Sequence, residues 1–165
     1  MVVRAILLLA LLGAAPLPAL AVESGQPAPA FEGASLRGGD ALRLESYRGK
    51  VVYLDFWASW CGPCRQSLPQ LEKLRNEIKA RGFEVIAINV DENPQDGLNF
   101  LKKYPVTYPI VQDSHGVLAQ LYDVKGMPSS YLIDRKGVVR YVHQGFNKKD
   151  LPPLREAVEQ LVGEQ

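Results

Sequence analysis

Val51-Val52-Tyr53-Leu54-Asp55-Phe56-Trp57 runs without a break into Ala58-Ser59-Trp60-Cys61-Gly62-Pro63-Cys64. The first part is almost continuously apolar and β-prone, as a central strand buried on both faces must be, and Asp55 is its one anomaly. Past the cysteines, Leu68, Leu71, Leu74 and Ile78 recur at helical spacing until Gly82 ends the pattern. Pro69 is expected to kink this helix near its start. The two cysteines therefore stand where a buried strand gives way to a helix.

That position has chemical consequences. A thiol attacks a disulfide only as the thiolate, so a reactive cysteine needs a lowered pKa and access to its substrate. The unpaired backbone N–H groups and positive dipole end of the helix supply the first at Cys61, which makes Cys61 the expected nucleophile. Cys64 lies one turn further in and is expected to resolve the mixed disulfide. Gly62 permits a tight turn with no side chain in the substrate's way, and Pro63 fixes φ in the first turn, where no donor is needed. These are the only two cysteines in the chain. A bridge over so short a loop restrains the unfolded chain little, so the pair reads as a redox centre and not as a staple.

Downstream, residues 83–90 form a second buried-strand run, and Asp91-Glu92-Asn93-Pro94 is a helix-start signal leading into Leu98, Leu101 and Tyr104. Strand then helix recurs, which implies parallel pairing. Residues 108–111 read as a short strand, and residues 115–122 as a short helix with Val117, Leu118 and Leu121 on its apolar face. Two β runs, residues 129–134 and 137–143, form a tight antiparallel hairpin around Asp134-Arg135-Lys136-Gly137. Leu154, Ala157, Val158 and Leu161 mark a closing amphipathic helix.

Upstream, residues 34–44 alternate around Gly38-Gly39-Asp40 as a hairpin, and residues 22–33 read as a Pro-, Ala- and Gly-rich extended lead-in with no structure of its own. Residues 1–21 have the form of an export signal: Arg4 in the n-region, an apolar stretch over residues 6–12, and Ala19-Leu20-Ala21 as a small-x-small cleavage site. Gly13, Pro16 and Pro18 interrupt the apolar stretch too early for a spanning helix, although an uncleaved anchor is the alternative. What remains, residues 22–165, suits one domain, the folded part being residues 34–165. The segment removes one Arg from 19 basic and 18 acidic residues, leaving 18 and 18, a balance that argues against a nucleic-acid partner.

The stretch 55–64 resembles the active-site segment of the thioredoxins. Pro69 matches the kinked active-site helix of that family, Met127-Pro128-Ser129 its cis-proline loop, and Gly145 the glycine after its last strand. The joint occurrence of these separated features is far more specific than a bare Cys-x-x-Cys. Extra residues near 94–108 resemble the central insertion of the exported TlpA, ResA and CcmG type reductases. The resemblance implies a single α/β domain of thioredoxin-like fold, a mixed sheet of four or five strands flanked by helices and preceded by the N-terminal hairpin. It implies a monomeric thiol:disulfide oxidoreductase without cofactor or metal, acting as a reductase in the periplasm or a similar extracytoplasmic compartment. Implied partners are client proteins such as apocytochrome c or copper-site proteins, and a membrane electron donor of the DsbD or CcdA type.

Further roles combine argument with likeness. Trp60, Gly62, Pro63, Met127 and Pro128 form the expected docking surface, with Met127 backbone groups pairing to an extended client if the Pro128 bond is cis. Asp55, desolvated in an apolar strand, is expected to titrate near neutrality and take the proton of Cys64. The lysine that thioredoxins place near this acid falls on Ala87 here. Glu92 matches a position where ResA type reductases carry an acid, and the two acids could titrate as a coupled pair. Against these stand blander readings: Asp55 as a hydrogen-bonded buried acid, Glu92 as part of a helix start, and a zinc site using His115 and His143, which lack metal-site spacing. Neither histidine has a dyad partner near it in sequence. A net oxidase or isomerase, and a non-catalytic metal- or client-binding assembly factor, are the alternative functions.

Overall fold

The computed structural model describes residues 22–164, so the expected export signal lies outside the described residues. Five strands form the main sheet: β3 (Val51–Trp57), β4 (Phe83–Asn89), β5 (Ile110–Gln112), β6 (Ser129–Ile133) and β7 (Val139–Gln144), in the order β5-β4-β3-β6-β7. β3 is parallel to β4 and β4 to β5, whereas β6 is antiparallel to both β3 and β7. All seven residues of β3 are buried, as a strand flanked on both edges and both faces requires.

Alternation along β3 assigns the two faces. Val51, Tyr53 and Trp57 point to a layer made by the helices α1 (Cys64–Ile78), α2 (Pro94–Lys103) and α4 (Leu151–Gly163). Leu68, Leu71, Leu74 and Ile78 line the inner stripe of α1, with Phe100 and Leu101 of α2 and Val158 and Leu161 of α4 beside them. Each such side chain, fully buried, contributes roughly 1.5–3 kcal/mol of transfer free energy. Pro69 lies inside α1 and removes one intrahelical donor. Gly82 closes the helix in the left-handed region at φ 91°.

Val52, Leu54 and Phe56 point to the other face, where α3 (Val117–Leu121) and the N-terminal segment pack. The apolar face of α3 is not the expected one. Leu118 and Tyr122 are buried, while Val117 and Leu121 are exposed. The Asp113 carboxylate accepts from the Leu118 and Ala119 amides at 3.1 and 2.9 Å, and this sets which side of the single turn faces inward.

The lead-in also departs from expectation. Residues 25–28 pair with the outer edge of β7: Gly25 N–H donates to Val139 O, Val139 N–H to Gln26 O, and Ala28 N–H to Gly137 O, at 2.7–2.9 Å. Val22, Ala28 and Phe31 are buried against the second face. Composition suggested a free segment, but Pro27 loses nothing at a sheet edge and the alanines and glycines allow close approach. The hairpin exists with shorter arms placed further out: β1 (Glu32–Gly33) pairs with β2 (Leu42–Arg43), with Gly38 and Gly39 at φ 80° and 88° in the turn. Residues 34–36 instead pair with β5 through Leu36 N–H to Ile110 O and Gln112 N–H to Ala34 O. Gly33 suits this close approach, because a Cβ there would collide with Val111 Cγ1.

Phe31 packs edge-on against Tyr122 at 6.3 Å between ring centroids. Phe31→Ala is expected to cost about 3 kcal/mol in urea unfolding. A loss below about 0.5 kcal/mol, the range of ordinary surface substitutions, would show that the segment does not support the core.

Candidate active site

β3 ends at Trp57, and the chain turns through Ala58, Ser59 and Trp60 into the head of α1, with Cys61 N–H donating to Ala58 O at 3.1 Å. Pro63 precedes the first helical residue, Cys64, at φ −61° and ψ −28°. Cys61 and Cys64 are joined in a disulfide. The Cys64 amide, one of the donors that α1 leaves unpaired at its start, donates to Cys61 Sγ at 3.3 Å. In this oxidised form Cys61 keeps 3% of its surface and Cys64 none, so access to Cys61 is narrower than the sequence suggested. Around it Gly62 and Pro63 are exposed, and Trp60 stands 66% exposed, while Trp57 is fully buried in contact with Phe100.

The Met127–Pro128 peptide bond is cis. Continuing the β3–β6 register one step past Phe56↔Ser129 sets Pro128 opposite Trp57, at the same end of the sheet as the cysteines. Gly145 N–H donates to Pro128 O at 2.8 Å, which holds this loop against the end of β7. Met127 is half-buried against the core on both faces of the sheet.

Asp55 faces the same layer as α1 and is 1% exposed. Its Oδ1 accepts from Ser130 Oγ at 2.7 Å, and its Oδ2 has no partner among the described residues. Burial pushes this carboxyl up from 3.8 to about 7, against a smaller downward pull from the Ser130 hydrogen bond. Ala87 is its register neighbour on β4, so the position that the thioredoxin likeness gives to lysine carries no charge. Glu92 is exposed on the loop after β4.

Two contacts escaped sequence reasoning. Ser130 is a polar residue in a buried strand, and that alone was a signal that it serves a partner. Asp91, read only as part of a helix start, is 3% exposed and accepts from Ser59 N–H at 3.1 and 3.0 Å, Ser59 Oγ at 2.9 Å and Asn89 Nδ2 at 2.8 Å. The start of α2 itself is as expected, with Asn93 Oδ1 accepting from Gln95 N–H. His115 is exposed, whereas His143 does have a partner after all: its Nε2 lies 3.3 Å from Asp150 Oδ2 at the surface between β7 and α4.

A cysteine pair closed at the head of a helix, on a mixed sheet with a cis-proline loop beside it, defines a thiol-disulfide oxidoreductase of thioredoxin-like fold. Comparison with known proteins gives the family. Residues 23–161 match the Redoxin family model, and the chain belongs to that family. It is 35% identical over 139 residues to a thiol-disulfide oxidoreductase ResA of Geobacillus kaustophilus, covering 84% of this chain and 79% of the relative. It is 37% identical over 134 residues to the thioredoxin-like protein YneN of Bacillus subtilis, covering 79% and 77%. A crystal structure from Chlorobium tepidum, assigned as a thiol:disulfide interchange protein DsbE, superposes with a TM-score of 0.83 at 41% identity, over 87% of this chain and 100% of that one.

Asp55 gives a pH test with a definite sign. Its folded value near 7 lies above the 3.8 of the free side chain, so folding disfavours its ionisation. Below the unfolded value both states are protonated and nothing is lost; stability is then lost as pH rises to about 7 and stays lost above it. Asp55→Asn is expected to stabilise the oxidised protein at pH 8 by up to about 4 kcal/mol and to leave it nearly unchanged at pH 3, measured by urea unfolding. An equal effect at both pH values would rule out a buried acid that titrates near neutrality.

Proposed function

We propose that the protein reduces disulfides of client proteins outside the cytoplasm, with Cys61 as nucleophile and Cys64 as resolving thiol. Cys61 thiolate attacks a client disulfide, forming a mixed disulfide and releasing one client thiolate, which takes a proton from water. Cys64 then gives its proton to the Asp55 carboxylate and attacks Cys61 Sγ, closing the disulfide and releasing the second client thiolate. Two electrons pass to the client. A dithiol donor at the membrane, of the DsbD or CcdA type, returns them by the same exchange run the other way.

The observation that carries the direction is the sparse support of the nucleophilic sulfur. Among the described residues Cys61 Sγ meets one hydrogen-bond donor, the Cys64 amide. A strong oxidant is one whose reduced, thiolate form is heavily stabilised, and a single amide does not do that. The Gly62-Pro63 dipeptide, shared by likeness with the reducing thioredoxins, points the same way.

Trp60, Gly62 and Pro63, with the Met127–Pro128 backbone, form the proposed docking surface, and Glu92 is a second candidate for proton transfer. Export with removal of residues 1–21, a soluble monomer, and clients among apocytochromes c or copper-site proteins complete the proposal. Among the described residues no helix is long and apolar enough to cross a membrane.

The redox equilibrium against glutathione tests the direction. A potential near that of thioredoxin, about −270 mV, is expected, and one near that of DsbA, about −120 mV, would overturn the reductase role. Insulin reduction with added dithiol should be abolished in Cys61→Ser; tight copper binding with no turnover in the unaltered protein would instead favour an assembly factor. Cys64→Ser should accumulate mixed disulfides with its clients in the native compartment, and their identification would test the proposed client classes.

A further inference from the structure

Between the ends of β3 and β4 the last ladder bond is Val90 N–H to Trp57 O at 3.0 Å. Beyond it the chain from β3 must leave the sheet and deliver Cys61 to the head of α1, and the Ser59 amide is left without a rung. The Asp91 side chain supplies that rung: Ser59 N–H reaches both carboxylate oxygens, and Ser59 Oγ reaches one of them. Asn89, the fully buried last residue of β4, steadies the carboxylate through its Nδ2. Asn89 is itself wedged beneath Gly97 of α2, where a Cβ would come within 2.8 Å of Asn89 Oδ1. A carboxylate only accepts, and all four contacts here come from donors.

We propose that Asp91 is a positioning residue of the redox centre, clamping Ser59 to the end of β4 so that Cys61 Sγ is held on the Cys64 amide. The clamp acts through its hydrogen bonds and not through its charge. Only Trp60 separates Ser59 from Cys61, and Cys61 N–H is already tied to Ala58 O, so freedom at Ser59 becomes freedom at the sulfur. A sulfur that drifts from its one donor loses thiolate stabilisation and, with it, rate at neutral pH. The chain Gly97–Asn89–Asp91–Ser59 also links the head of α2, in the region read as an insertion, to the nucleophile.

Asn89 provides the means to separate clamp from charge. Its Oδ1 is buried without a partner among the described residues. In Asp91→Asn the new carbonyl can still accept from Ser59, and a flipped Asn89 amide presents Oδ1 to the new Nδ2, so the clamp survives while the charge is gone. Asp91→Ala removes both.

The inference rests on Cys61 being the attacking sulfur, and the experiment reports on that separately. The reduced protein is alkylated with iodoacetamide across pH, the modified cysteine is identified by mass spectrometry, and cooperative unfolding of each variant is checked. Asp91→Ala is expected to raise the Cys61 midpoint by about one pH unit and to slow alkylation at pH 7 about tenfold, with Asp91→Asn within about threefold of the unaltered protein. Ser59→Ala, which keeps the amide bonds and drops the hydroxyl, should slow the reaction about threefold and decides the matter if Asp91→Ala does not fold. Unchanged midpoints in folded Asp91→Ala, or no slowing in Ser59→Ala, would overturn the clamp; so would Asp91→Asn as impaired as Asp91→Ala, which would make charge the operative feature. First modification at Cys64 in the unaltered protein would refute the nucleophile assignment independently of the clamp.

Discussion

Everything chemical in this protein depends on one junction, where the buried strand β3 turns into α1 and the first free amide of the helix meets Cys61 Sγ. A helix start must leave donors unpaired, and a strand end must leave its ladder; placing a sulfur between them lets each deficit answer the other. The junction is precise because neither side can move. β3 is buried along its whole length between β4 and β6, and α1 is fixed by Leu68, Leu71, Leu74 and Ile78 against the same core. Placement of the sulfurs is thus inherited from packing, which is dense and resists small shifts.

The sheet creates a second problem that the N-terminal segment solves. A five-stranded open sheet presents two edges with unpaired backbone groups, each a template for unwanted pairing. Residues 34–36 cover β5 and residues 25–28 cover the start of β7. One short segment therefore closes parts of both edges and also lays Val22, Ala28 and Phe31 over the second face. With those edges occupied, Trp60, beside the disulfide, remains a large exposed apolar side chain.

How much of this could be read in the sequence follows from how local each cause is. β3, β4, α1 and the hairpin at Gly137 were legible because their patterns and turn residues lie within a few positions of one another. The redox pair was legible for the same reason. The pairing of residues 25–28 and 34–36 was not, since it joins them to partners more than 70 residues away, and a Pro- and Ala-rich composition carries no trace of them. The facing of α3 was missed because one carboxylate, Asp113, overrides a weak apolar pattern in a single turn. Ser130 with Asp55, and Ser59 with Asp91, are separated by 75 and 32 positions. Each shows in the sequence only as a polar residue within or beside a buried strand.

Those last two pairs place two buried carboxylates at the redox end of the sheet in contrasting surroundings. Asp91 has both oxygens engaged, by Ser59 and by Asn89. Among the described residues Asp55 has one donor and one free oxygen, in surroundings where burial has already raised its affinity for a proton to the neutral range. Two like groups given different environments are suited to different work: the satisfied carboxylate to holding a loop, the unsatisfied one to accepting a proton. Satisfying Asp55 fully would lower its proton affinity and cost it that capacity. Its unpartnered oxygen, unfavourable for folding, is the feature on which its proposed role as proton acceptor rests.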